Sequence, residues 1–266
     1  MHLEDHFNMV QFAQNILVTG ARSGFGKYLQ ESFNAFILTR QTNLDYVFQL
    51  AEKKPFAAII HAAFNAKLNI DSNNLYACYQ DNIELTQKLL QIPHKKFIFI
   101  SSIDVYEKNN LPHTEDEVIK INSQNIYGIS KLFAESMVQK HATQFLILRC
   151  SALLGKYSRP NSIIKMVQQK NVNLTLHEES EFNYILYEDV LKFISCAISH
   201  DNIGGIYNLT AAENITLQAV KNYFHMQTVF GDYRYAAGKV INNRAAALVN
   251  NFNKTSIENI KLYFLQ

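Results

Sequence analysis

The stretch NILVTGARSGFGKYLQESF (15–33) decides the fold. NILVTG (15–20) is a short apolar run closing on Thr-Gly, the pattern of a buried strand entering a tight turn. ARSGFG (21–26) follows, and KYLQESF (27–33) has helical spacing. Glycines stand at 20, 24 and 26, with Arg22, Ser23 and Phe25 between them. Strand, glycine turn and helix in that order are the context a dinucleotide site needs. Gly20 permits the tight turn, Gly24 lets the backbone approach a pyrophosphate, and Gly26 lets helix and strand pack closely. The helix N-terminus offers its free N–H groups to the phosphates. A plain strand–turn–helix has the same outline, so the rest of the chain must decide between them.

Outward from this turn, apolar runs alternate with helical patterns. AFILTR (35–40), FAAIIHAA (56–63), KFIFISS (96–102) and QFLILRC (144–150) read as buried strands. NLDYVFQLAEKK (43–54), NLYACYQDNIELTQKLLQI (74–92) and YGISKLFAESMVQKHA (127–142) read as helices, the second stopped by Pro93. This alternation predicts an α/β fold, a doubly wound parallel sheet covered on both faces. Beyond residue 155 the pattern loosens. SIIKMVQQK (162–170), YEDVLKFISCAIS (187–199), ITLQAVKNYF (215–224) and TSIENIKLYFL (255–265) are helical, whereas NLTLH (173–177) and GGIYNLTAA (204–212) are extended. Thr255 or Ser256 is the expected N-cap of the last helix. The predicted division is a Rossmann domain over 1–155 and a small substrate lobe over 156–266 that returns to the Rossmann core.

Composition narrows the function. The chain has 266 residues, is 48% hydrophobic and carries a formal net charge of +2 with no long basic run, so electrostatics point to no nucleic-acid partner. Cys78, Cys150 and Cys196 form no CxxC pair, which fits a reducing compartment. The nine histidines show no HExxH or HxH, and no metal site is expected. No apolar run approaches the roughly 18 residues of a membrane span. The first residues, MHLEDHFNMVQFAQ, lack an apolar signal core, and a cytoplasmic protein is expected.

The end of the second strand discriminates between cofactors. A carboxylate there bonds the ribose 2′-hydroxyl of NAD. This chain has Arg40, whose guanidinium suits the 2′-phosphate of NADP, with Arg22 near the same pocket. The reading favours NADP(H) and leaves NAD(H) possible, since an arginine at a strand end is also at home in solvent.

These pieces together resemble the extended branch of the short-chain dehydrogenase/reductase superfamily, its NAD-dependent epimerase/dehydratase family. IIHAA (59–63), with Ala62 and Ala63, looks like the family's segment beside the cofactor. QDNIELTQKLL (80–90) resembles its asparagine-bearing helix, with Asn82 at the matching place. FIFISSIDVY (97–106) resembles the catalytic-hydroxyl strand, with Ser102 as the hydroxyl, and YGISK (127–131) matches YxxxK. ILRCSALLG, YEDVLKFI and GGIYNLTAAENITL match later landmarks. The resemblance implies that Tyr127 is the acid/base, that Lys131 lowers its pKa and bonds the nicotinamide ribose, and that Ser102 polarises the substrate oxygen. For Asn82 it leaves two roles open, holding a group near the site or bracing the helix. It also implies a homodimer packed through the YGISK helix, on which Leu132, Phe133 and Met137 serve either that contact or the core.

The family reduces, oxidises, epimerises and dehydrates, so the fold does not choose the reaction. The family's sugar dehydratases carry Asp-Glu after the catalytic hydroxyl, and here Ile103 and Asp104 follow Ser102. Only the 15 residues 41–55 separate the second and third strands, where family epimerases insert a further helix and strand. That layout is similar to the 4-keto reductases of deoxysugar pathways. Reduction of a keto group on a nucleotide sugar is therefore the leading expectation. NAD-dependent epimerisation and non-catalytic NADP binding are the alternatives. The family's pyrophosphate-holding arginine is missing from EESEFNYILYEDV (178–190), and Arg159, Asn161 and Lys165 are the candidates to contact substrate instead.

Overall fold

The structure is a computed structural model, and it describes residues 15–65, 72–109, 111–121, 125–169 and 171–265. The chain runs β1 (Ile16–Thr19), α1 (Gly24–Phe33), β2 (Phe36–Leu38), α2 (Leu44–Lys53), β3 (Phe56–His61), α3 (Ser72–Tyr79), a π-helical segment (Gln80–Glu84), α4 (Leu85–Gln91) and β4 (His94–Ser102). A 3₁₀ turn (Ile103–Val105) leads to β5 (Pro112–His113), α5 (Ile126–His141), β6 (Phe145–Cys150), β7 (Ala152–Leu154), α6 (Ser162–Gln168), β8 (Asn171–Asn173), β9 (Glu181–Phe182), β10 (Tyr184–Leu186) and α7 (Tyr187–Ser199). The remainder is β11 (Gly205–Leu209), β12 (Ile215–Thr216), α8 (Leu217–Tyr223), β13 (Gln227–Val229), β14 (Lys239–Val240), α9 (Asn243–Leu248) and α10 (Ser256–Leu265).

Six strands form the central sheet in the order β2-β1-β3-β4-β6-β11, and every pair is parallel. The expected doubly wound α/β sheet is the one found. Its inner strands β1, β3, β4 and β6 are buried on both faces, whereas Phe36 and Ile37 of the edge strand β2 are exposed, and alternate residues feed opposite layers. Ile16, Val18, Ala58, Ile60, Ile98, Ile100, Leu146 and Leu148 point into one core with Phe25 and Leu29 of α1 and Val190 and Phe193 of α7. Leu17, Ile59, Phe97, Phe99 and Ile147 point into the other, with Val47 of α2, Leu89 of α4 and Val138 of α5. The chain steps outward from β1 to β2, then crosses back to β3 and continues the other way. The crevice beyond the carboxyl ends of β1 and β3 is therefore where such a sheet takes a ligand. The short 41–55 link has its counterpart here, for β2 is the edge strand and no further strand lies outside it among the described residues.

β11, drawn from beyond residue 155, pairs with β6 as the sixth strand. The rest of that segment forms two-stranded sheets, β7 with β10, β9 with β12, and β8 with β13, around a separate apolar cluster that includes Ile163, Tyr184, Leu217 and Ile260. The extended segment expected at 173–177 lies earlier, with β8 ending at Asn173. The last helix opens on a capping box. Glu258 N–H donates to Thr255 Oγ1 (3.4 Å), and Thr255 N–H donates back to Glu258 Oε2 (2.7 Å). No helix of the described residues is long and apolar enough to cross a membrane, no group of them has the make-up of a metal site, and none of the three cysteines is in a disulfide.

Candidate active site

A cleft of about 1290 Å³ opens where the topology places it. Of the residues singled out for chemistry or for cofactor and substrate contacts, all but Asn82, Asn161 and Lys165 line it. The glycine turn forms one end. Gly20 has φ +75°, and a Cβ there would lie 2.8 Å from the amide nitrogen of Ala63. A Cβ on Gly26 would lie 2.4 Å from the carbonyl oxygen of Gly20. The start of α1 thus presses on the end of β1, and only a bare backbone permits it. The aromatic rings of Phe25 and Tyr187 pack behind the turn, 4.8 Å apart at their centroids.

His61 belts this end of the sheet together. It is fully buried between Thr19 Oγ1 (2.8 Å from Nδ1) and Thr86 Oγ1 (3.0 Å from Nε2). Burial, with Lys131 nearby, pulls its pKa down to about 3, so the ring is neutral. Asn82 is also buried and clamps the 62–65 loop, accepting from Asn65 N–H (2.7 Å) and donating to Asn65 O (3.0 Å). Of the two roles left open for it, holding a backbone group beside the cleft is what the geometry displays.

Ser102, Tyr127 and Lys131 meet on the opposite wall. Ser102 ends β4, where its Oγ accepts from Asp104 N–H (3.1 Å) and donates to Asp104 Oδ2 (3.3 Å). Tyr127 stands in the first turn of α5, which Asn125 caps by accepting from Gly128 N–H (2.8 Å). Lys131, one turn on, is buried and donates to the carbonyl of Ile100. Its ammonium lies 3.6 Å from the centroid of Phe64 and 5.7 Å from that of Tyr127. Desolvation lowers the Lys131 pKa to about 7.

Tyr127 departs from expectation. Lys131 was expected to draw its pKa down, but the shift is upward. Burial is the main cause, the Asp104 carboxylate adds to it, and the hydrogen bond with Ser102 opposes it. Asp104 itself is gripped by Lys108 (2.9 Å), with the Tyr235 hydroxyl 3.4 Å away. Tyr235 and Phe182, from the C-terminal segment, stack 4.6 Å apart and line the same end of the cleft.

Two further residues land elsewhere than their neighbours in sequence imply. Arg159 reaches the glycine turn and donates to Ser23 Oγ (3.2 Å), at the far end of the cleft from Ser102. Asn161 is the N-cap of α6, its Oδ1 accepting from Ile164 N–H (3.0 Å), so its side-chain oxygen is taken by the helix. Beneath the floor lies a buried ion pair that the sequence reading missed. Arg149 of β6 donates to both oxygens of Glu135, one turn beyond Lys131 on α5, with Nη2 2.7 Å from Oε2. Glu135 also accepts from Ser101, the residue before Ser102, and Arg149 donates to the hydroxyl of Tyr106 (2.8 Å). The i, i+4 spacing of Lys131 and Glu135 signalled only that the two share a helix face, and nothing in it pointed to Arg149 on β6.

The profile of the NAD dependent epimerase/dehydratase family matches residues 16–210. The chain belongs to that family. No curated protein sequence matches this family member. Among solved structures it is similar to dTDP-4-dehydrorhamnose reductase from Bacillus anthracis in complex with NADP, at 18% identity and TM-score 0.77, over 95% of this chain and 99% of that one. It is similar to RMD from Pseudomonas aeruginosa complexed with NADPH, at 21% identity and TM-score 0.72, over 93% and 97% of the two chains. It also resembles UDP-glucuronic acid 4-epimerase from Bacillus cereus in complex with UDP-glucuronic acid and NAD, at 17% identity and TM-score 0.74, over 95% and 99%. At these identities the likeness is one of fold.

Proposed function

We propose that this family member reduces a keto group of a nucleotide sugar with NADPH. The observation that carries the reading is the placing of Ser102, Tyr127 and Lys131 together on the wall of a cleft whose other end is the glycine turn. The turn fits a dinucleotide, because the Gly20 and Gly26 contacts draw the start of α1 against the end of β1, while at Gly24, which lines the cleft, an added Cβ would meet nothing nearer than the Tyr187 hydroxyl at 3.5 Å. Gly20, Arg22, Ser23, Gly24, Phe25 and Gly26 would hold its phosphates, with Ala62 and Ala63 alongside, and Arg40 and Arg22 would meet a 2′-phosphate. When bound, the dinucleotide supplies a hydride. The remaining work belongs to the chain's own residues. Ser102 donates to the substrate carbonyl and orients it. Tyr127 gives up its proton to the oxygen as negative charge develops there. Lys131 is placed one turn from the phenol, where its charge steadies the phenolate left behind. Residues 156–266 serve as the substrate lobe, contributing Phe182, Asn183 and Tyr235 to the cleft.

Epimerisation is the second reading. It uses the same three groups, with Tyr127 taking a proton from a sugar hydroxyl instead of giving one to a carbonyl oxygen. What favours it is Arg40, which an acid already engages, as described below. We further propose a cytoplasmic homodimer joined across α5, where Phe133 is 57% exposed. Leu132 instead packs partly against the cluster of Ile103, Val105 and Tyr106.

The test is titration with NADPH and NADH, followed by a panel of 4-keto nucleotide sugars, reading absorbance of the reduced nicotinamide. Reduction predicts cofactor oxidation on adding a keto sugar. Tyr127→Phe should keep cofactor affinity and lose about 10²–10⁴-fold in turnover. Interconversion of sugar epimers with no net oxidation would replace the proposal with the second reading.

A further inference from the structure

Arg40 does not hang free at the cleft mouth. Its Nη2 lies 2.8 Å and 2.7 Å from the two carboxylate oxygens of Asp81, across 41 residues of sequence. The two partners differ in freedom. The Arg40 side chain is 82% exposed and springs from the end of an edge strand, whereas the Asp81 side chain is 25% exposed. Asp81 is also held from behind, because Asn65 Nδ2 donates to its Oδ2 (2.9 Å) and Asn65 is clamped by the buried Asn82. Asp81 sits in the π-helical segment, whose wider turn interrupts the long helix beside the cleft. The carboxylate is thus a fixed post and the guanidinium a movable arm. Both line the cleft, and the side chain of Arg22 donates to Gln41 at the same end.

We infer that Asp81 sets how strongly this chain prefers a 2′-phosphorylated dinucleotide, by competing with that phosphate for Arg40. The inference rests on the proposed dinucleotide site. A phosphate brought to Arg40 must draw the guanidinium away from Asp81, or share it while standing near a fixed negative charge. Either route costs binding free energy that a 2′-hydroxyl does not incur, since a hydroxyl can donate to the carboxylate and leave the pair intact. Asp81 therefore narrows the advantage that Arg40 would otherwise give NADPH over NADH. It is a specificity-determining residue drawn from a helix remote in sequence from the strand end where such residues are sought.

The experiment is a fluorescence titration of the whole chain with NADPH, NADH and 2′,5′-ADP, for the native sequence, Asp81→Asn, Arg40→Ala and the double variant. Asp81→Asn should tighten NADPH and 2′,5′-ADP about three- to tenfold and leave NADH within about twofold, as befits loss of one partly exposed charge. The gain should vanish in the Arg40→Ala background, because the two residues act through one contact. It should also shrink as salt rises. Equal changes for NADPH and NADH, or a gain that survives Arg40→Ala, would overturn the inference. Thermal unfolding of each variant separates a loss of fold from a change in preference. Failure of the native chain to bind any of the three ligands would instead refute the dinucleotide site itself.

Discussion

The two ends of the cleft handle charge in opposite ways. Under the catalytic wall, Arg149 and Glu135 are 4% and 2% exposed and Lys131 is buried, each locked to partners on other elements. At the rim, Arg40 is 82% exposed and Lys88 and Glu84 are 49% and 34% exposed. Buried charges without partners are intolerable, so the inner network fixes positions: it ties α5 to β4 and β6 and hence Tyr127 to Ser102. Exposed pairs cost little to open, so the rim can exchange partners. Geometry is set inside, and selectivity is adjusted outside.

That contrast can be broken most directly at Glu135. Glu135→Ala strands Arg149 in the core and should lower unfolding free energy by about 3–5 kcal/mol in urea titration. Replacing both partners by apolar residues should recover most of the stability but loosen the Ser102–Tyr127 geometry, seen as reduced turnover at unchanged cofactor affinity. Next is the pH response of Lys131. Its folded pKa of about 7 lies below the ordinary 10.5, so between these values the unfolded chain holds a proton that the folded chain has released. Stability from this group should rise as pH climbs from 7 towards 10 and stay flat below 7, where both states are protonated. Urea midpoints across pH should show that rise in the native chain and lose it in Lys131→Met.

Gly26→Ala places a methyl 2.4 Å from the Gly20 carbonyl oxygen and should cost about 1–3 kcal/mol, with dinucleotide affinity falling as the turn shifts. Calorimetric unfolding and a binding titration check both. The smallest effect belongs to the rim: Lys88→Ala breaks its pair with Glu84 and should change stability by less than about 1 kcal/mol. A larger loss there would erase the distinction between fixed inside and adjustable outside.

Much of the sheet was legible because its signal is local. Unbroken apolar runs in FAAIIHAA and KFIFISS report burial on two faces whatever surrounds them. Ser102, Tyr127 and Lys131 were read as a group through the resemblance of FIFISSIDVY and YGISK to a known family, and the fold sets all three along one cleft. The direction of the Tyr127 shift was not, since it depends on burial and on Asp104, which only the folded chain sets beside the phenol. Arg40–Asp81 and the Tyr235–Phe182 stack join segments 41 and 53 residues apart, distances over which no periodicity speaks. Asn161, two residues from Arg159, gives its side-chain oxygen to the cap of α6, a role the sequence reading did not assign it. The π-helical segment left no mark in the apolar spacing of 74–92 from which the helix was read.

The edge position of β2 has a consequence in time as well as in space. An enzyme that consumes a reduced cofactor must release and rebind it every cycle, whereas one that restores the cofactor within a cycle can keep it. Here the cofactor's outer half would rest against a three-residue strand with no neighbour beyond it among the described residues and a solvent-exposed arginine at its tip. Such a rim offers little to slow departure. Stopped-flow displacement should find dinucleotide release faster than turnover, and a release slower than turnover would show that the missing outer strand has been replaced by some other hold.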